Sequence, residues 1–164
     1  MRIGFFILCL LSISLQAQTY RLVAIEMPAN KAFRQAPKSS FNSEEQRKIA
    51  INTFVSNLQA DGYLTASLDS SSIQKDSLSR DNTLTAYIHK GELYTWAKLH
   101  SINVDEEALS SSGFREKMYR NRPFRYTQTR RMMRKVITYY ENNGYPFVSL
   151  SFDSLKTGST HIEA

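Results

Sequence analysis

The side chains able to do chemistry are few and poorly spaced for it. His89, His100 and His161 are scattered, with no ligand spacing to one another and no cysteine to join them. A structural zinc site needs His and Cys ligands in short, paired spacings, so no metal site is expected. Glu106 and Glu107 are adjacent carboxylates. A helix start accounts for them, because the positive end of the helix dipole favours negative charge. The serines cluster in polar runs such as Ser70-Ser71-Ser72 and Ser110-Ser111-Ser112. Such runs read as solvated loops or helix ends, not as a nucleophile held on a strand–turn–helix elbow. There is no Gly-rich phosphate cradle. The expectation is a protein without catalytic, metal or cofactor-binding residues, and not an enzyme.

Charge is the next candidate. Arg115, Lys117, Arg120, Arg122, Arg125, Arg130, Arg131, Arg134 and Lys135 form a basic run. It reads as a solvated helix face and loop; the functional alternative is a patch facing an anionic membrane or partner. The whole chain carries a formal charge of +6, which is modest and does not demand nucleic acid. No nucleic-acid partner is expected.

Residues 1–17 read as a signal peptide. Arg2 supplies the positive start, and Ile3 to Leu11 is an apolar stretch too short for a bilayer, which takes about 20 residues. Leu15-Gln16-Ala17 fits a cleavage site. The single cysteine, Cys9, lies in that segment. The exported chain therefore lacks thiol chemistry and disulfides, and a packed core must hold it together. No later segment is long and apolar enough for a transmembrane helix.

The elements follow from periodicity. Residues 130–153 read as a helix, a Gly-Tyr turn and a strand. Met133, Val136, Ile137 and Tyr140 make one apolar stripe. Asn142, Asn143 and Gly144 tolerate the left-handed conformation of a helix C-cap, and Pro146 blocks continuation. Val148, Leu150 and Phe152 then alternate with Ser149, Ser151 and Asp153, as in a half-buried strand. The same grammar appears 82 positions earlier: Ile51, Phe54, Val55 and Leu58, then Gly62-Tyr63, then Leu64, Ala66 and Leu68 alternating with Thr65 and Ser67. A stripe, turn and strand matched at one offset read as a tandem duplication. Ser43 and Gln46 fit a capping box for the first helix. Strands are expected over 19–27, 63–70, 83–90, 94–104 and 147–155, with one just starting at 161–164, and 28–42 and 70–82 as loops. Asp105 is expected to cap a short helix that Gly113 interrupts.

This pattern resembles the POTRA domain, the periplasmic module of the outer-membrane protein assembly factor superfamily of the BamA and TamA type. The residues carrying the likeness are 139–147 (Tyr-Tyr-Glu-Asn-Asn-Gly-Tyr-Pro-Phe), the helix start at Asp105-Glu106-Glu107-Ala108-Leu109, Arg122-Pro123-Phe124, and Gly91-Glu92-Leu93-Tyr94-Thr95-Trp96. The resemblance implies an α+β fold of tandem β-α-α-β-β modules. Each would carry its helices on one face of a small mixed three-stranded sheet, with the last strand central. The modules would span 18–92, with a degenerate first helix, and 93–164. The second would be truncated, its central strand lying past Ala164 in a longer protein that ends in a membrane barrel.

The function implied is a non-enzymatic scaffold on the periplasmic side of the outer membrane. Its partners would be unfolded outer-membrane protein precursors or assembly-machinery subunits. The functional surface expected is an open sheet edge, to which an extended client adds as a further strand. The candidate edges are Leu64, Thr65, Ala66, Ser67 and Leu68, and Val148, Ser149, Leu150, Ser151 and Phe152. Gly62, Tyr63, Gly144, Tyr145 and Pro146 would form the structural turns. The alternatives are a freestanding exported binding protein or an exported hydrolase.

Overall fold

A computed structural model of the chain describes residues 18–76 and 81–164. The signal-peptide reading of residues 1–17 lies outside them. The first half runs β1 (Tyr20–Met27), β2 (Lys31–Ala32), β3 (Ser40–Phe41), α1 (Glu44–Ala60), β4 (Ser67–Lys75) and β5 (Asn82–His89). The second runs β6 (Thr95–Lys98), α2 (Glu106–Ser112), α3 (Glu116–Tyr119), α4 (Tyr126–Asn142), β7 (Lys156–Thr157) and β8 (His161–Glu163). The fold is α+β with two mixed sheets, and in each the last strand is central. β5 lies between β1, to which it is parallel, and β4, to which it is antiparallel. β8 sits the same way between β6 and β7.

Local chemistry explains the first half. Ser43 caps α1, its hydroxyl accepting from the Gln46 N–H at 3.2 Å. The Gln46 side chain reaches back to the Asn42 N–H at 3.3 Å, one residue beyond the usual capping box. One face of β5 is buried at every second residue, Leu84, Ala86 and Ile88, as the alternation requires. That face joins Leu22 and Ala24 of β1 and Ile51 of α1 in a core, with Phe54, Val55 and Leu58 packed against it. The predicted stripe of α1 is therefore its buried face.

Arg47 is also buried here. Its Nη1 donates to the Asn82 carbonyl at 2.9 Å and the Asn82 Oδ1 at 3.0 Å. Its guanidinium lies 5.4 Å from the Tyr20 ring centroid. The arginine ties the helix to the start of the central strand.

The second core gathers Trp96, Leu99, Phe114 and Ile162, with Leu109, Phe124 and Met132 packed against them. Gly113 ends α2 at φ 76°, the left-handed cap expected of it. Asp105 begins α2 without a side-chain bond to the helix. Its carboxylate instead accepts from the Tyr140 hydroxyl at 2.8 Å, and its N–H donates to that same oxygen at 3.0 Å. Capping here is shared between two helices.

Several expected boundaries move. The strand expected over 94–104 is only β6, and α3 is an additional turn of helix. The loop expected over 28–42 contains β2 and β3, which pair with opposite ends of β1. The central strand of the second sheet begins within the described residues, as the three residues of β8. Residues 148–152 are in no strand. β7 and β8 pair through Lys156↔Glu163 and Thr157↔Ile162. An alternating sequence becomes a strand only where a partner supplies hydrogen bonds, and among the described residues no strand pairs with residues 148–152.

Candidate functional site

The sheet edges differ sharply in accessibility. The outer edge of β1 is closed near one end by β2, through Ile25↔Ala32 and Glu26↔Lys31. Near the other it is closed by β3, through Tyr20↔Phe41 and Arg21↔Ser40. The Leu22 N–H also donates to the Ser39 carbonyl at 2.9 Å. The outer edge of β6 is covered by residues 121–124: the Trp96 N–H donates to the Arg122 carbonyl at 2.9 Å, and the Asn121 N–H to the Trp96 carbonyl at 2.7 Å.

Two outer strands lack such a cover, the two-residue β7 and the much longer β4. β4 is the outermost strand of the first sheet, and among the described residues no strand pairs with its outer side. All nine of its residues are exposed, Leu68 and Ile73 included. A β-bulge interrupts its pairing between Leu68 and Ser70, leaving Ser70–Lys75 as the regular run. Bulges commonly blunt an exposed edge, so the usable acceptor row is those six residues.

The residues predicted as the first edge lie just before that row. Leu64 and Thr65 form a turn, and Leu64 packs against the core around Trp96. Ala66 is buried, and its carbonyl accepts from the Gln59 side chain at 2.9 Å. Only Ser67 and Leu68 belong to β4. Ser70–Lys75 were read as linker because a serine run has no apolar period; pairing with β5 makes them a strand.

At the second predicted edge, Leu150 and Phe152 line an apolar cavity of about 100 Å³ with Leu99, Phe114 and Val136, and Ser151 borders it. The Phe152 and Trp96 rings lie 5.8 Å apart. Val148 and Ser149 border a separate recess beside Tyr140 and Tyr145. Leu150 and Phe152 border the second core, Ser149, Ser151 and Phe152 are exposed, and none of these residues is in a strand.

The two Gly-Tyr turns have different surroundings. Gly62 is buried at φ 105°, and its carbonyl accepts from the Tyr94 N–H at 2.9 Å. Tyr63 lies under the Lys90 ammonium, 4.3 Å from its ring centroid. Gly144, at φ 92°, has open space where a β-carbon would stand. Tyr145 is largely exposed, its ring edge-on to Tyr140 at 5.9 Å, and Pro146 is exposed too. The Tyr145 N–H closes α4 on the Tyr140 carbonyl at 3.0 Å.

Acid–base chemistry is sparse. His100 Nδ1 and Glu116 Oε1 lie 2.6 Å apart, a pair no sequence spacing announced. Both side chains are substantially exposed, and among the described residues no hydroxyl or thiol bonds to that imidazole. No group of three or more His, Cys, Asp or Glu side chains gathers as metal ligands among the described residues. The Tyr139 phenol is held above its ordinary 10.0 chiefly by its hydrogen bond to Glu107, at 3.0 Å. For Tyr140 the Asp105 N–H bond pulls downward, but the Asp105 carboxylate and burial together outweigh it, so the phenol is also raised. An open groove of about 1010 Å³ follows α1 past Pro123, lined by Phe33, Phe54 and Leu93 and by charges of both signs.

The architecture has a counterpart among solved structures. The chain is similar to the crystal structure of Haemophilus influenzae BamA POTRA3-5, with a TM-score of 0.51 and 12% sequence identity. The fold is POTRA-like. The match covers 88% of this chain and 64% of that one, so this chain spans less than two thirds of its neighbour's length. At that identity the likeness is one of fold alone. No family model matches the sequence, and no curated protein matches it. No described helix is long and apolar enough to cross a membrane.

Proposed function

We propose that this protein is a non-enzymatic scaffold on the periplasmic side of the outer membrane. It would hold outer-membrane protein precursors or assembly subunits by strand addition to β4. The tandem modules over 18–92 and 93–164 and the cleavable signal peptide belong to the same proposal. The observation that carries it is the asymmetry of the first sheet: β2 and β3 close one edge, and β4 leaves the other open along Ser70–Lys75. An edge of this kind binds through backbone groups, which suits clients of many sequences. The POTRA-like fold supports the setting.

The test is amide hydrogen exchange with and without an unfolded outer-membrane protein peptide. Outward-facing amides of residues 70–75 should gain protection on binding. Protection elsewhere with none on β4 would remove the strand-addition reading.

A further inference from the structure

The basic run is exposed throughout. Of the 21 Lys and Arg residues in the chain, nine fall within residues 115–135, where the only acidic residue is Glu116. Glu116 is engaged by His100 at 2.6 Å. All nine cations are exposed, and none forms an ion pair with a described residue. On α4, Thr129 and Val136 are the buried positions. At about 100° per residue, Arg130, Arg131, Arg134 and Lys135 fall within about 140° of arc on the opposite side. Met118 and Tyr126, both more than half exposed, are interspersed with the cations in sequence. No described carboxylate neutralises this charge, so its field acts outward, and exposed apolar side chains fall in the same stretch of sequence.

We infer that the outer face of α4, with the exposed residues of α3, docks on an anionic lipid bilayer. The cations are drawn to the headgroups, while Met118 and Tyr126 enter the interface. The attraction is sequence-independent and fades over roughly a Debye length, about 10 Å at 0.1 M salt. Docking would hold the chain flat against the membrane beside α4. This surface is separate from β4, so the inference stands or falls apart from strand addition.

The test is co-flotation of the whole chain with vesicles of phosphatidylcholine alone or mixed equally with phosphatidylglycerol. Binding is expected on the anionic vesicles only, weakening as sodium chloride is added. Each Lys or Arg near such a surface contributes about fivefold to partitioning. Combining Arg130→Gln, Arg131→Gln, Arg134→Gln and Lys135→Gln should therefore weaken binding by roughly several hundredfold. Glutamine is a good helix former, so circular dichroism and thermal unfolding should be preserved. Met118→Ser with Tyr126→Ser should weaken binding without altering its salt dependence.

Equal binding to neutral vesicles would overturn the inference. So would binding indifferent to the four substitutions, as expected if apolar residues 3–11 carried it. Capture of soluble polyglutamate as tightly as anionic vesicles would reassign the surface to an acidic protein.

Discussion

Gly62 lies against the backbone carbonyl oxygen of Phe124, so close that a β-carbon on Gly62 would collide with it. Tyr94 stands between them in the hydrogen-bond chain: its N–H donates to the Gly62 carbonyl at 2.9 Å, and its carbonyl accepts from the Phe124 N–H at 2.8 Å. The first Gly-Tyr turn is thus a fastening point between the two halves of the chain. Gly62 combines a φ of 105° with this contact, whereas Gly144 has its φ of 92° and open space. Strain at a positive φ costs about 1–3 kcal/mol. Gly144→Ala should cost about that much, and Gly62→Ala more, because backbone has to move. Urea midpoints of the two variants should rank in that order; equal midpoints would mean the Phe124 carbonyl yields freely.

The sequence announced what local chemistry controls. The stripe of α1, the Ser43 cap, the Gly113 stop and the alternation of β5 are each written within a turn or two of chain. Tertiary partners decide the rest. The Ser67–Lys75 segment carries little local strand preference and becomes β4 because β5 lies beside it. Residues 148–152 carry a strand pattern and stay irregular because no strand among the described residues pairs with them. The three residues of β8 read as the start of a strand, but their place at the centre of a sheet is set by β6 and β7 on either side. The open edge was legible in kind but misplaced by a few residues, since Leu64 is apolar for the second core and not for a client. The buried Arg47 has no signal at all in a helix of ordinary polar composition.

Arg47 offers a second test. Its Nη1 satisfies both the carbonyl and the side-chain oxygen of Asn82, while its Nε and Nη2 lack partners among the described residues. Removing one member of a buried hydrogen bond leaves the other unsatisfied, at about 1–3 kcal/mol and more where the one left is charged. Arg47→Leu and Asn82→Ala should each destabilise the fold strongly, and the double variant by much less than their sum. Denaturant unfolding of the four proteins measures that coupling; additive losses would show that the pair acts independently.

Alkaline pH provides a third. Hydrogen bonding to Glu107 foremost raises Tyr139, and Tyr140 is raised in net against the Asp105 N–H. A phenol held above its ordinary value gives up its proton first in the unfolded chain. Its stabilising contribution is therefore complete below 10.0 and is lost as pH rises through the higher folded value. Unfolding midpoints should fall in that window. Tyr139→Phe and Tyr140→Phe should each make the fall shallower, because phenylalanine has no proton to lose. A decline of unchanged steepness in both variants would detach it from these tyrosines.

Leu64 gives the last test, of whether the halves fold as one. It follows the Gly62 turn in the first half and packs against the core of the second, around Trp96. Trp96 is the only tryptophan and is almost wholly buried, with the Phe124 ring centroid 5.2 Å away. Its fluorescence therefore reports the second core, while far-ultraviolet circular dichroism reports both halves. If the Gly62–Tyr94–Phe124 bonds and Leu64 couple them, the two signals should trace one denaturation curve. Leu64→Ala should then shift both signals together, by about 2–3 kcal/mol, the low end for emptying a core site because Leu64 is only half-buried. Should fluorescence and dichroism separate in the parent protein, the halves would be independent folding units. A loss confined to fluorescence in the variant would limit Leu64 to local packing.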